Sequence, residues 1–111
     1  MTKKPMHQAI PKQIELFGRD ITTHIDEGRL TSRTAYGEAR YGENEIVLND
    51  KISGKPITPD ELKLTYLHEM LHFILNFTSY EETLVKLGID LEQFIELLAS
   101  GIYQYEKSAK Y

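Results

Sequence analysis

Residues 58–77 constrain this chain more than any other stretch. Thr58-Pro59-Asp60-Glu61 has the marks of a helix start: a threonine that accepts from free amides, a proline at the first helical position, and a glutamate three residues after the threonine. Behind it, Leu62, Leu64, Tyr66, Leu67, Met70, Leu71, Phe73, Ile74, Leu75 and Phe77 place apolar groups almost all the way round a helix. A helix of that kind is buried on most sides, so the rest of the chain must fold around it. Its polar residues, Glu61, Thr65, His68, Glu69, His72 and Asn76, fall into one stripe about 100° wide at 3.6 residues per turn. On a buried helix such a stripe must face a satisfied polar network or a functional site.

Inside the stripe lies His68-Glu69-Met70-Leu71-His72. Histidines at i and i+4 sit one turn apart on the same helix face, so both imidazoles reach one metal ion. Glu69 is turned about 100° from His68 and cannot join them as a close ligand. It can instead reach a water held by that metal and take its proton, which is how a zinc hydrolase makes hydroxide at neutral pH. This reading assigns His68 and His72 as metal ligands and Glu69 as general base. The rival reading is a pair of structural histidines hydrogen-bonded in the core; the placement of Glu69 favours the first.

The remaining composition limits the setting. A chain of 111 residues makes one domain with a modest core, here expected over 10–111 behind a loose tail of residues 1–9. Net charge is −4 with acids and bases mixed, and no basic stripe suggests nucleic acid. Apolar runs are too short to span a bilayer. The polar start lacks the apolar segment of a signal peptide. With no cysteine, disulfides and thiolate ligands are excluded. A cytoplasmic protein with a site of histidine and carboxylate is expected.

Along the chain, Ile14–Leu16 and Ile21–Ile25 read as two half-buried strands about a Gly18-Arg19-Asp20 turn, and Glu27-Gly28 begins a loop. Residues 35–41 and 45–48 read as two more strands joined across Gly42-Glu43-Asn44, followed by a polar loop over 49–55. After the long helix, Ser79 with Glu82 predicts a capped short helix ended by Gly88. Asp90 with Gln93 starts a last helix that runs to about Glu106. Strands precede helices, so the class is α+β: a small antiparallel or mixed sheet of three or four strands, then the motif helix, a short helix and a C-terminal helix.

A catalytic zinc site takes three protein ligands and leaves one position open. No third histidine follows closely, and the downstream acids must be weighed. Glu82 and Asp90 have capping roles, and Glu81 sits in a first turn, where the helix dipole favours acids. Glu92 and Glu96 share a face of the last helix with Ser100 and Tyr103. Helix geometry does not choose between them, and a solvated face accounts for either.

A resemblance does choose. The run from Thr65 to Ile74 matches the extended zincin consensus: threonine three before the first histidine, uncharged residues within the motif, and an apolar residue two after the second histidine. Around it stand a glycine-containing strand and an Ile-Val-Leu strand, between Gly37 and Leu48. Then comes the segment Glu96-Leu97-Leu98-Ala99-Ser100-Gly101-Ile102-Tyr103-Gln104. In these features the chain resembles the small HExxH metallopeptidase-like proteins of phages and prophages. Those are relatives of the minimal gluzincins that include the ImmA/IrrE and SprT-like groups. The resemblance implies a zinc peptidase acting on a peptide or protein, with Glu96 as third ligand to Zn²⁺. It also implies a strand beside the motif helix, here 42–49, that pairs with an extended peptide. Among Tyr36, Tyr41, Tyr66, Tyr80 and Tyr103, Tyr103 is the best oxyanion stabiliser, two turns beyond Glu96 on its face. The alternative function is a catalytically silent zinc-binding scaffold that holds a partner peptide.

Overall fold

Strands β1 (Gln13–Leu16) and β2 (Arg19–Ile25) form a hairpin in the computed structural model, which describes residues 5–25 and 35–111. Leu16 pairs with Arg19, so the turn consists of Phe17 and Gly18, at φ 53° and 78°. Positive φ at both positions gives a primed turn whose twist matches that of the strands. The turn lies earlier than the Gly18-Arg19-Asp20 reading, because Arg19 and Asp20 join the ladder opposite Leu16 and Glu15.

Strand β3 (Gly37–Arg40) passes through a 3-10 turn at Tyr41–Glu43 into β4 (Glu45–Leu48). β4 inserts between β2 and β3, parallel to the first and antiparallel to the second, giving the order β1-β2-β4-β3. The sheet is therefore mixed and four-stranded, within an α+β fold. Ile46, Val47 and Leu48 are fully buried, as suits an interior strand. This corrects the expectation that residues 42–49 offer a free edge to a peptide. β4 is hydrogen-bonded on both sides, and the edges of this sheet are β1 and β3. The stretch read as a polar loop also differs. It holds two short strands, β5 (Lys51–Ile52) and β6 (Lys55–Pro56), closed by Ser53 and Gly54 at φ 50° and 78°.

Helix α1 spans Pro59–Phe77, and Thr58 Oγ1 accepts from the Glu61 amide at 3.2 Å. Its apolar residues, among them Leu62, Leu67, Leu71 and Phe73, share one core with Ile21, Ile46 and Leu48 of the sheet. Ile95, Ala99 and Tyr103 of α3 (Leu91–Ser108) belong to the same core. Gly37 sets how closely β3 approaches α1. A Cβ there would lie 2.8 Å from Thr65 Cγ2 and 3.0 Å from Leu48 Cδ2.

Helix α2 (Tyr80–Lys86) ends at Gly88, whose φ of +79° permits the left-handed stop. Its start departs from expectation. Ser79 is left-handed at φ 63° and makes no side-chain cap, while Glu82 pairs with Lys86 at 3.1 Å. Asp90 does cap α3, accepting from the Gln93 amide at 3.2 Å.

The end of the expected tail is docked. Met6–Gln8 forms a 3-10 turn, Gln8 Nε2 donates to Asp60 at 2.9 Å, and the buried Lys63 donates to the Ala9 carbonyl at 2.7 Å. Residues 1–4 and the loop read from Glu27-Gly28 lie outside the described residues. Among the described residues no helix is long and apolar enough to cross a membrane.

Candidate metal centre

The polar stripe of α1 faces an open cleft of about 630 Å³. Glu61, Thr65, His68, Glu69 and His72 line it from α1, residues 36–39 from β3 and its approach, and Glu92 and Glu96 from α3. The His68 and His72 rings stand 5.0 Å apart, one helical turn along the same face. Their side chains are only 16% and 12% exposed.

What α3 brings to them follows from its direction. Asp90 starts the helix, which then runs back along α1: Tyr103 meets Asp60 and Glu106 meets Lys63. Its first turn therefore arrives level with the two histidines. Glu92 Oε2 lies 2.9 Å from His68 Nε2, and Glu92 Oε1 lies 3.0 Å from His72 Nε2. One donor atom from each of the three residues falls within 4.8 Å of the others.

Glu96 is also brought into the site, but on the other side of the first imidazole. Its Oε2 lies 2.9 Å from His68 Nδ1. The bridging carboxylate is therefore Glu92, one turn nearer the start of α3 than the expected Glu96. The reason is the register set by the Asp90 cap and the backward run of α3. That cap was legible in the sequence; where α3 would cross α1 was not. Of the other acids weighed, Glu81 faces His72 Nδ1 at 3.8 Å, whereas Glu82 turns away to Lys86.

Glu69 lies one residue round the helix from His68, buried at 6% exposure beside the cleft. Burial pushes its carboxyl up to about 7. His68 pulls the other way, and the charges of Glu92 and Glu38 add to the rise. A carboxylate in that range accepts and releases a proton near neutral pH.

The tyrosine expectation is corrected as well. Tyr103 lies at the far end of α3, where its hydroxyl donates to Asp60 and its ring meets His7 edge-on, and it does not line the cleft. The same register that delivers Glu92 to the histidines carries Tyr103 to the start of α1. Tyr41 and Tyr36 line the cleft instead. The Tyr41 hydroxyl donates to Glu81 Oε2 at 3.1 Å, and burial, then the Glu81 charge, hold its phenol well above the usual range.

Two imidazole nitrogens and one carboxylate on converging helices are a donor set that Zn²⁺ takes in three-ligand sites. Comparison with protein-family models, curated proteins and solved structures finds no match to this chain.

Proposed function

We propose that the protein is a zinc-dependent metallopeptidase-like hydrolase of the gluzincin type, with His68, His72 and Glu92 as the metal ligands. One observation carries this reading: both histidine Nε2 atoms converge on the two oxygens of Glu92, at 2.9 Å and 3.0 Å, in the cleft that also holds Glu69. Bound there, Zn²⁺ would acidify a water and polarise a carbonyl.

The chain's own residues do the rest. Glu69 accepts a proton from the attacking water and passes it to the leaving amine; its raised carboxyl suits both transfers. β3 is the sheet edge beside the cleft, and an extended peptide laid along it would run past the histidines. Glu96 accepts from His68 Nδ1 and keeps Nε2 directed at Glu92. A chain without cysteine suits a reducing cytoplasm.

A silent zinc-binding scaffold is favoured by one feature, the engagement of the Tyr41 hydroxyl with Glu81, which leaves it committed within the protein. Elemental analysis of protein purified without metal-affinity steps tests the metal: one zinc per chain is expected, and none overturns the proposal. Cleavage of a peptide library by the zinc-loaded chain, lost in Glu69→Gln, separates the hydrolase from the scaffold.

A further inference from the structure

The second histidine has an unsettled side. Its Nε2 faces Glu92, but its Nδ1 is buried and has no hydrogen-bond partner among the described residues. The carboxylate nearest to that nitrogen among the described ion pairs is Glu81, whose Oε2 stands 3.8 Å away, too far for a hydrogen bond and close enough for one after a small rotation. The same oxygen accepts from Tyr41 at 3.1 Å. The Tyr41 ring packs edge-on against Phe73 at 5.2 Å, the residue that follows His72 on α1. Glu81 is thus held from one side by the tyrosine of the β3–β4 turn and aimed on the other at His72. Glu81 lies in the first turn of α2, where Ser79 makes no side-chain cap.

A histidine that offers Nε2 to a metal must carry its proton on Nδ1, and a buried N–H without an acceptor is destabilising. We propose that Glu81 is a positioning residue for the metal centre: it accepts the Nδ1 proton of His72, with Tyr41 holding its carboxylate in place. This rests on the zinc-site reading above. It assigns α2 a role in that site, although no ligand comes from α2. Carboxylates in this position raise the basicity of the ligand and fix its ring, and their loss typically weakens metal binding roughly 10- to 100-fold.

The test uses the full chain, titrated with Zn²⁺ against a chromophoric chelator, and two-bond ¹H–¹⁵N spectra of its histidines before and after zinc. Glu81→Ala should still bind one zinc at saturation, with the dissociation constant raised roughly 10- to 100-fold. In the zinc-loaded variant the His72 Nδ1 signal should move from its wild-type position, because the Nδ1–H has lost its carboxylate acceptor. Glu81→Gln, which keeps an accepting oxygen and guards against misfolding of the alanine variant, should recover most of the affinity. Tyr41→Phe should weaken binding less than Glu81→Ala. Unchanged affinity and an unchanged His72 Nδ1 signal in zinc-loaded Glu81→Ala would overturn the proposal. Loss of zinc stoichiometry in a folded Glu81→Gln would also overturn it, by making Glu81 a ligand. If the wild-type chain binds no zinc, the zinc reading fails and the role of Glu81 falls with it, whereas a wild type that binds zinc beside an unaffected Glu81→Ala overturns the role of Glu81 alone.

Discussion

Glu92 and His72 meet through Oε1 and Nε2 at 3.0 Å, while the other oxygen of Glu92 meets His68 at 2.9 Å. One carboxylate therefore spans two imidazoles from a separate helix, and α3 is tied to α1 at its first turn. The site depends on helix register more than on any single motif.

Glu92→Ala should bring zinc content well below one per chain. Glu96→Ala should keep one zinc with affinity lowered roughly 10- to 100-fold, because it removes only the partner of His68 Nδ1. Elemental analysis after gel filtration, with chelator competition for affinity, checks both. The opposite pattern would return the ligand to Glu96.

Glu69→Gln should retain zinc and fold, and should lower hydrolysis of a cleaved peptide by roughly 10²- to 10⁴-fold, the range for removal of a positioned proton-transfer group. Zinc content and turnover are read on the same sample. Loss of zinc in that sample would show that Glu69 coordinates.

The raised carboxyl of Glu69 also predicts a pH dependence for the metal-free protein. Its ordinary value of 4.5 applies to the unfolded chain, and burial lifts it to about 7 in the fold. Between those values the folded protein keeps a proton that the unfolded chain has lost. The contribution of Glu69 is fully present below 4.5 and is lost as pH rises through about 7. At 1.36 kcal/mol per unit this is on the order of 3 kcal/mol. Urea denaturation from pH 4.5 to 8 should show wild type losing stability relative to Glu69→Gln over that window. Parallel curves would refute the shift.

Gly37→Ala should destabilise the fold by about 1–3 kcal/mol, the usual cost of overpacking. The new methyl would press on Thr65 and Leu48, whose atoms stand 2.8 Å and 3.0 Å from its position. Chemical denaturation measures the loss. A neutral result would mean that β3 can withdraw from α1 at no cost.

Tyr103→Phe should leave zinc affinity and any hydrolysis unchanged and lower the thermal midpoint, because its hydroxyl serves Asp60 and the docked N-terminal turn. A fall in turnover with stability intact would restore the oxyanion role that the sequence suggested.

Local rules made α1 legible from end to end. Thr58, Pro59 and the apolar run specify a buried helix whose bounds, Pro59–Phe77, depend on nothing distant. The i, i+4 spacing likewise puts His68, Glu69 and His72 in place without reference to the rest of the chain. Asp90 and Gly88 mark their helix boundaries for the same reason: caps are satisfied within a turn. What the sequence could not supply were relations between segments far apart along the chain. β4 reads as a strand from its own residues, but its place between β2 and β3 depends on which strands it joins. Glu92 and Glu96 are equivalent on an isolated helix. Only the backward packing of α3 on α1 puts the first between the two Nε2 atoms and the second behind His68, and sends Tyr103 to Asp60. Glu81 meets His72, and Tyr41 meets Glu81, for the same reason: tertiary packing brings together polar groups that local sequence rules leave far apart.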